Sequence, residues 1–332
     1  MSSFEIGGHA IAPGVRQTVN LEVSTLANAT PMNLPVHVVH GGKGPVLFLS
    51  GVVHGDEIQG MEIIRRVLAH EGLKQVRGTL LAIPIVNAFG FLNHSRYMPD
   101  RRDLNRSFPG SDQGSLASLL ADLFFREVVK RADYGIDFHT AALHRTNLPQ
   151  IRIAPGDEGL MKLAEAFAPP VIITSKLRDG SLRQSAKEAG VQVVLYEGGE
   201  ALRFDESAIE AGVKGTLRVM KMIGMIDDAP RPPAHAVTVH SGSSTWSRAP
   251  EGGILHSVRK VGDKVGRKEP VGIITDPLGA VRVPVFAEDD GIIIGRTNLP
   301  IVNRGDALFH IARIKAKPAA RAEAMPDEDE II

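Results

Sequence analysis

Apolar and polar residues alternate in two short stretches near the start of the chain, residues 18–23 and 34–39, which Asn, Thr and Pro residues separate. Alternation with a period of two predicts strands, and the polar residues between them predict an antiparallel pair. A compact apolar run at residues 45–51 then leads into a helical pattern over residues 56–70. This part of the chain is therefore predicted to form a strand, loop and helix unit.

Strand and helix patterns continue to alternate up to about residue 222. The predicted strands span residues 78–86, 134–138, 171–174 and 191–196, and the predicted helices span residues 115–131, 182–189 and 206–222. Such alternation implies an α/β fold with a mixed, mainly parallel sheet and helices on both of its faces. Ligand sites in sheets of this kind lie at the C-terminal ends of the strands.

A Pro-rich stretch at residues 229–236 interrupts the α/β pattern and is predicted to be a linker after a first domain at residues 1–228. Short Val and Ile segments then alternate with Gly-Asp and Asp-Gly turns over residues 237–314, which predicts a small all-β domain. Residues 315–332 are rich in Ala, Pro and charge, so we expect a disordered tail.

Composition narrows the possible functions. Hydrophobic residues make up 43% of the chain and charged residues 23%, and no apolar stretch is long enough for a transmembrane helix, so no membrane partner is expected. The N-terminal residues lack a signal-peptide pattern, and the chain has no cysteine, so the cytoplasm is the expected location. Lys plus Arg equals Asp plus Glu at 38 each without a basic block, which argues against nucleic acid.

The tetrapeptide HGDE at residues 54–57 directly follows an apolar strand and precedes a helix. His54 and Glu57 can point into one cleft there, and zinc in catalytic sites commonly takes three such protein ligands. His139 follows another predicted strand and is expected at the same sheet edge. A lone histidine is more often a core or surface residue, but the strand-end position of both motifs favours a site for one Zn²⁺ per chain.

Glu197 ends the predicted strand at residues 191–196 and precedes two glycines, so its carboxylate is expected at the same edge of the sheet. In that position it is a candidate general base for the water that a metal activates. Glu200 is the alternative base. A carboxylate before Gly-Gly is also common as a turn or helix-cap residue, and the residue type alone does not exclude that role.

Four arginines lie in the Pro- and Gly-bounded segment RYMPDRRDLNRSFPG, residues 96–110. Arginine can bind a carboxylate through two parallel hydrogen bonds, and a neighbouring asparagine can hold the same group. Asn105 and Arg106 are therefore the predicted binders of a substrate carboxylate. A solvated loop with ion pairs to Asp100 and Asp103 is the alternative interpretation.

The motifs HGDE, DLNRSFPG, DFHT and YEGG occur together in this order. In order and approximate spacing they resemble the succinylglutamate desuccinylase/aspartoacylase family, relatives of the zinc carboxypeptidases, over about residues 46–224; the ordered set is specific although each motif alone is weak. The resemblance implies a zinc carboxypeptidase-like fold. It also implies a site with zinc ligands His54, Glu57 and His139, general base Glu197, and carboxylate binders Asn105 and Arg106.

The family also has an arginine that polarises the scissile carbonyl, in an Arg-Tyr pair shortly before the DLNR motif. Here the pair is Arg96-Tyr97, separated from that motif by additional residues, and Arg102 is the alternative for this role. The C-terminal β-domain resembles the barrel-sandwich-like domain that the family adds to its catalytic domain. Its expected role is to roof the cleft or to mediate assembly into a homo-oligomer.

The resemblance implies zinc-dependent hydrolysis of the amide bond of an N-acyl amino acid or a related small amide. A metallocarboxypeptidase that acts on a short peptide is one alternative, and a catalytically inactive binding protein of the same fold is another. The complete set of His54, Glu57, His139 and Glu197 argues against the inactive protein. The sequence leaves the acyl group and the amino acid open.

Overall fold

The computed structural model describes residues 2–232 and 238–314 of the chain. Ten strands and six α-helices precede the Pro-rich stretch among the described residues. The strands are β1 (Phe4–Ile6), β2 (His9–Ile11), β3 (Val15–Thr25), β4 (Pro31–His40), β5 (Val46–Gly51), β6 (Thr79–Ile83), β7 (Tyr134–Ala141), β8 (Arg145–Ile153), β9 (Val171–Thr174) and β10 (Gln192–Glu200). The helices are α1 (Gln59–Leu68), α2 (Ala88–Leu92), α3 (Leu116–Glu127), α4 (Glu158–Phe167), α5 (Leu182–Glu188) and α6 (Glu206–Met222).

The part of the chain after residue 238 contains only strands among its described elements. They are β11 (Val239–Ser241), β12 (Ser244–Arg248), β13 (Gly253–Ser257), β14 (Lys264–Val265), β15 (Pro270–Thr275), β16 (Arg282–Phe286), β17 (Gly291–Thr297), β18 (Ile301–Val302) and β19 (Ala307–Arg313). Strands β16, β15, β13 and β18 form a separate antiparallel sheet. The predicted all-β character of the C-terminal region is confirmed.

A 13-stranded mixed sheet forms the centre of the molecule, with the main order β12-β19-β17-β8-β10-β7-β5-β6-β4-β3. Strands β6, β5, β7 and β10 are parallel neighbours. Strands β4 and β8 pair antiparallel to the two ends of this parallel group. The predicted mixed, mainly parallel α/β sheet is therefore confirmed, and its parallel centre brings the C-terminal ends of β5, β7 and β10 to one edge.

Helices cover both faces of the sheet and form two separate cores. On one face, Phe124 of α3 and Leu182 of α5 lie in the same buried cluster as Phe48 of β5. On the other face, α1, α4 and α6 contribute Ile63, Phe167 and Leu217 to a second buried cluster. Because the central strands are buried on both sides, their sequences are continuously apolar, as in β6 (TLLAI).

Several predicted elements match the structure closely, and others differ at their ends. Helix α6 and strand β9 have the predicted bounds. Helix α1 begins at Gln59 rather than at residue 56, so the HGDE segment is loop. Strand β7 continues to Ala141, so His139 lies inside the strand. Strand β8 and helix α4 were not predicted. The sequence of β8 contains Pro149 and two arginines and therefore has a low strand propensity. Its pairing with strands on both sides outweighs that low propensity.

The C-terminal strands join the main sheet at two places. Strand β11 pairs with β9, and β17 pairs with β8. The division of the chain at residues 229–236 stays a prediction, and residues 233–237 of that linker and the tail at residues 315–332 lie outside the described residues. Within the part that the structure describes, no helix has the length and apolar character needed to cross a membrane.

Gly60, in the first turn of α1, allows this helix to approach the sheet beside the HGDE loop. A Cβ at this position would lie 2.7 Å from Cβ of Phe138 and 3.0 Å from Cα of Gly51. We predict that Gly60→Ala destabilises the protein by about 1–3 kcal/mol, because overpacking here outweighs the usual helix-forming advantage of alanine. Urea unfolding of the variant measures this change in the free energy of unfolding.

The control for this experiment is Gly242→Ala, because a Cβ at Gly242 would meet nothing within 4 Å. This substitution is expected to change the free energy of unfolding by less than about 0.5 kcal/mol. A Gly60→Ala protein that is as stable as the control would show that α1 does not need this close approach.

Candidate active site

The ends of three neighbouring parallel strands bring the predicted metal ligands together. The loop after β5 carries His54 and Glu57 and leads directly into α1. Strand β7 carries His139, which stands beside Glu197 of β10 in the parallel register. His54, Glu57, His139 and Glu197 are all buried, with 5% or less of their surface exposed. His54, His139 and Glu197 line one cleft at this edge of the sheet, and Glu57 lies behind the two imidazoles in contact with both.

His54, Glu57 and His139 each direct one ligand-type atom toward the same point. Nδ1 of His54 lies 2.6 Å from Oε1 of Glu57, and Nδ1 of His139 lies 2.7 Å from Oε2 of the same carboxylate. The two Nδ1 atoms are 3.2 Å apart. Two ring nitrogens and one carboxylate therefore form a compact donor set for a metal ion.

The outer nitrogen of each imidazole is held by a second carboxylate. Nε2 of His139 lies 2.8 Å from Oδ2 of Asp137, and Oδ1 of Asp137 accepts a hydrogen bond from the Ser50 hydroxyl at 2.7 Å. Nε2 of His54 lies 3.2 Å from Oδ1 of Asp103. Carboxylates in these positions favour the tautomer with the proton on Nε2, which leaves the lone pair of Nδ1 facing Glu57.

Electrostatics in the cleft favour a bound cation. Burial opposes ionisation of Glu57, yet His54 and His139 hold the pKa of its carboxyl well below its usual range. Burial alone would lower the pKa of His139, but Asp137 and Glu57 raise that pKa well above its ordinary value. The carboxylates therefore attract positive charge to the space between the imidazoles.

The donor set also has the chemistry of a zinc site. With Zn–ligand distances of about 2.0–2.2 Å, tetrahedral ligands stand about 3.3 Å apart. The two Nδ1 atoms are 3.2 Å apart, whereas the Glu57 oxygens lie closer to them, at 2.6 Å and 2.7 Å. Burial lowers the pKa of both imidazoles, but neighbouring carboxylates raise it above the ordinary value, so each Nδ1 can carry a proton toward Glu57. A divalent cation can take the place of these two protons between the imidazoles and the carboxylate, so the residues present fit a zinc ion.

Glu197 lies in the same cleft but is held by different partners. Its Oε2 accepts a hydrogen bond of 3.0 Å from Nδ2 of Asn147 on β8. Its Oε1 is 3.9 Å from Nε of Arg152, also on β8. A bulge follows Glu197 in β10, where Gly199 has a φ of +73° and stands against the side chain of Gln59. The bulge changes the direction of the strand immediately after the carboxylate.

Glu200, the alternative base in the sequence, faces different groups. Its Oε1 accepts a hydrogen bond from the backbone of His144 at 3.0 Å, and its Oε2 accepts one from Nδ2 of Asn298 at 2.9 Å. It is not among the described residues that line the cleft of His54 and His139. Glu200 instead links the end of β10 to the segment that follows β17.

The arginine-rich loop contributes Arg96, Asn105 and Arg106 to the lining of the cleft. Nη1 of Arg96 lies 3.3 Å from Oε1 of Glu57, and its Nη2 pairs with Asp103 at 2.9 Å. Oδ1 of Asn105 accepts a hydrogen bond from the backbone of Leu182, which orients its amide. Arg102 has a 64% exposed side chain near Asp100, and it is not among the described cleft residues.

Three further arginines line this cleft and were not identified from the sequence: Arg152, Arg178 and Arg183. Burial and the neighbouring Arg152 lower the pKa of Arg183 to about 10, and its Nη1 is buried without a hydrogen-bond partner among the described residues. Arg152 lies between two isoleucines in β8. Because a charged residue is rarely buried without a partner, its position in an apolar segment could have indicated a functional site from the sequence. The cleft is therefore strongly cationic beside the predicted metal ligands.

Proteins of known sequence and structure resemble this chain over most of its length. An N-alpha-acetyl-L-2,4-diaminobutyric acid deacetylase of Halomonas elongata is 28% identical over 304 residues, which cover 85% of this chain and 86% of that protein. A succinylglutamate desuccinylase/aspartoacylase structure from Rhodobacter sphaeroides is 25% identical, with a TM-score of 0.80 and coverage of 90% of this chain and 96% of the other.

The ectoine utilization protein EutE (DoeB) of Ruegeria pomeroyi, in its product-bound structure, shares the fold at 22% identity. Its TM-score is 0.79, with coverage of 90% of this chain and 95% of the other. The family model of the succinylglutamate desuccinylase/aspartoacylase catalytic domain matches residues 43–223, more than half of the chain. The chain therefore belongs to the succinylglutamate desuccinylase/aspartoacylase family.

Proposed function

We propose that the protein is a zinc-dependent deacylase that hydrolyses the amide bond of an N-acyl amino acid. The observation that carries this proposal is the convergence of His54, Glu57 and His139 beside a cleft that Glu197 and a group of arginines line. The Halomonas relative, a deacetylase of an N-acetylated amino acid, supports the same reaction class.

In this proposal the three converging side chains hold one zinc ion. When bound, the metal supplies a Lewis acid that activates water and polarises a carbonyl oxygen. His54 and His139 would present Nδ1 to it, because Asp103 and Asp137 occupy their Nε2 atoms. Glu57 would complete the set of three protein ligands that is common in catalytic zinc sites.

Glu197 is the proposed general base. The backbone of its strand is directly beside that of His139, and a hydrogen bond from Asn147 to Oε2 orients its carboxylate in the cleft. In this role the carboxylate accepts a proton from the attacking water and delivers it to the leaving amine nitrogen. Glu200 is engaged with His144 and Asn298 outside the cleft lining, which favours Glu197 for the role.

The arginines of the cleft are proposed to position the substrate. Arg96, with Nη1 at 3.3 Å from the Glu57 carboxylate, is close enough to the ligand set to stabilise the negative charge that develops on the scissile carbonyl oxygen. Asn105 and Arg106 are the proposed binders of the free carboxylate of the amino acid. Arg183 adds positive charge to the same cavity and supports an anionic substrate.

The first prediction separates proton transfer from metal binding. Glu197→Gln retains the size of the side chain but cannot accept a proton, so kcat for N-acyl amino acids should fall at least about a hundredfold. Elemental analysis should still find about one zinc ion per chain. If Glu197→Gln keeps its turnover and Glu200→Gln loses it, Glu200 is the general base. If the wild-type protein shows no zinc-dependent hydrolysis, the proposed deacylase function is rejected.

The second prediction concerns the carboxylate behind His139. Asp137→Asn should weaken zinc binding by about 10- to 100-fold, because the amide no longer fixes the His139 tautomer. Competition with a chromophoric chelator measures the zinc affinity directly. Ser50→Ala is the matched comparison, since Ser50 donates to Asp137 without touching His139, and it should have a clearly smaller effect. Equal affinities of the wild type and Asp137→Asn would contradict this assignment.

The third prediction tests recognition of the carboxylate. Arg106→Lys keeps the charge but loses the two-pronged geometry, so kcat/KM for free N-acyl amino acids should fall about 10- to 100-fold. Turnover of the same substrates with a blocked carboxyl group should change little. Arg101→Lys, the same substitution at an exposed arginine of the same loop, is the control. If the wild-type protein hydrolyses free and blocked substrates equally well, Arg106 does not bind a substrate carboxylate.

A further inference from the structure

A second, larger groove adjoins the cationic cleft, and Arg96 lines both cavities. The groove encloses about 610 Å³, whereas the cationic cleft encloses about 50 Å³. One wall comes from the segments around Tyr97 and Leu143, and the other comes from the C-terminal strands and loops around Leu299 and Ile301. The two parts of the chain thus form the groove together at a position next to the proposed reaction centre.

The walls of the groove carry unusually exposed apolar side chains. Leu143 is 42% exposed, Leu299 is 45% exposed and Ile301 is 75% exposed. Val302 and Leu308 add buried apolar surface to the same groove. Exposed apolar side chains that converge from separate segments on one cavity mark a binding site, because their exposure to water has a free-energy cost that an apolar ligand removes.

The charge distribution sets the direction in which a substrate lies. If Arg106 holds the carboxylate of the amino acid in the cationic cleft, the amide carbonyl reaches the ligand set near Arg96. The acyl group then continues beyond Arg96, away from Arg106, and the adjoining groove is the cavity that Arg96 also borders. Arg145, Arg248 and Asp306 also line this groove, beside the apolar side chains. Acetyl alone would leave most of its 610 Å³ filled with water.

On the basis of the function proposed above, we propose that this groove binds the acyl chain and that the preferred acyl group is an extended apolar chain. Leu143, Leu299 and Ile301 are its specificity-determining contacts. The groove volume is within the range of about 300–1,000 Å³ that is typical of small-molecule sites. A short peptide, whose backbone polar groups need hydrogen-bond partners, is less well matched to these three side chains.

Binding of the acyl product tests the proposal without requiring the amino acid to be known. Octanoate, butanoate and acetate are titrated into the zinc-supplied full chain by calorimetry. Each buried methylene contributes about fourfold in affinity, so octanoate is expected to bind at least about 30-fold more tightly than acetate. Ile301→Asp should reduce octanoate affinity at least about tenfold and leave acetate unchanged, because it places a charge against the chain.

Leu278→Asp is the matched control, because Leu278 is 91% exposed on a turn of the C-terminal region and does not line the groove. It should leave both affinities unchanged. Equal binding of octanoate and acetate, or equal effects of the two Asp variants, overturns the proposal. A dimeric wild type that becomes monomeric in Ile301→Asp, with no dependence of affinity on chain length, identifies the groove as a subunit interface instead.

Hydrolysis of N-acetyl- and N-octanoyl-L-glutamate distinguishes failure of this inference from failure of the proposed function. A preference for the octanoyl substrate that Ile301→Asp removes supports both. Hydrolysis of both substrates at equal rates, with weak octanoate binding, keeps the deacylase and overturns the acyl groove. Tight, Ile301-dependent octanoate binding without hydrolysis of these or of any other N-acyl amino acid in a panel rejects the deacylase while retaining an apolar binding site.

Discussion

The Glu57 carboxylate, placed between two imidazoles in a buried cleft, is the interaction on which the rest of the site depends. Its two oxygens lie 2.6 Å and 2.7 Å from Nδ1 of His54 and His139. This arrangement requires the loop after β5 and the end of β7 to meet at a fixed distance. The parallel register of β5 with β7, in which Ser50 stands beside Asp137, supplies that constraint. Each change in this register would separate the carboxylate from an imidazole.

The carboxylates behind the imidazoles extend the constraint into the fold. Asp137 is fully buried and connects His139 to Ser50 across the β5–β7 pair. Asp103 connects His54 to Arg96, so the arginine-rich loop is ordered by the same ligand set that it borders. From the sequence, ion pairs to Asp100 and Asp103 were the alternative to a loop that binds a substrate carboxylate. In the structure, the ion pair with Asp103 holds Arg96 beside Glu57. An ion pair in this loop and a role of the loop at the site can therefore coexist.

The sequence predicted the parallel centre of the sheet and the convergence of His54, Glu57 and His139, because parallel strands end at one edge whatever their exact register. It did not predict β8 or the arginines that β8 and the following segments bring to the cleft. Arg152 and Asn147 reach Glu197 only because β8 turns back antiparallel beside β10, a pairing that alternation of polar and apolar residues does not encode. Helix α4, by contrast, had a readable N-cap in Asp157 and was missed.

The two cavities next to Arg96 differ in the side chains that line them. Five arginines line the smaller cleft, on the side that faces β8 and α5. The larger groove, on the side that faces the C-terminal strands, combines exposed leucine and isoleucine side chains with Arg145 and Arg248. Glu200 ties these two sides together, since it accepts hydrogen bonds from His144 and Asn298 only three residues after Glu197. The C-terminal strands therefore do more than cover the cleft. They fix the wall that carries Leu299 and Ile301 at a set distance from the proposed base. In the proposed function, this arrangement is what orients a substrate with one charged end and one apolar end.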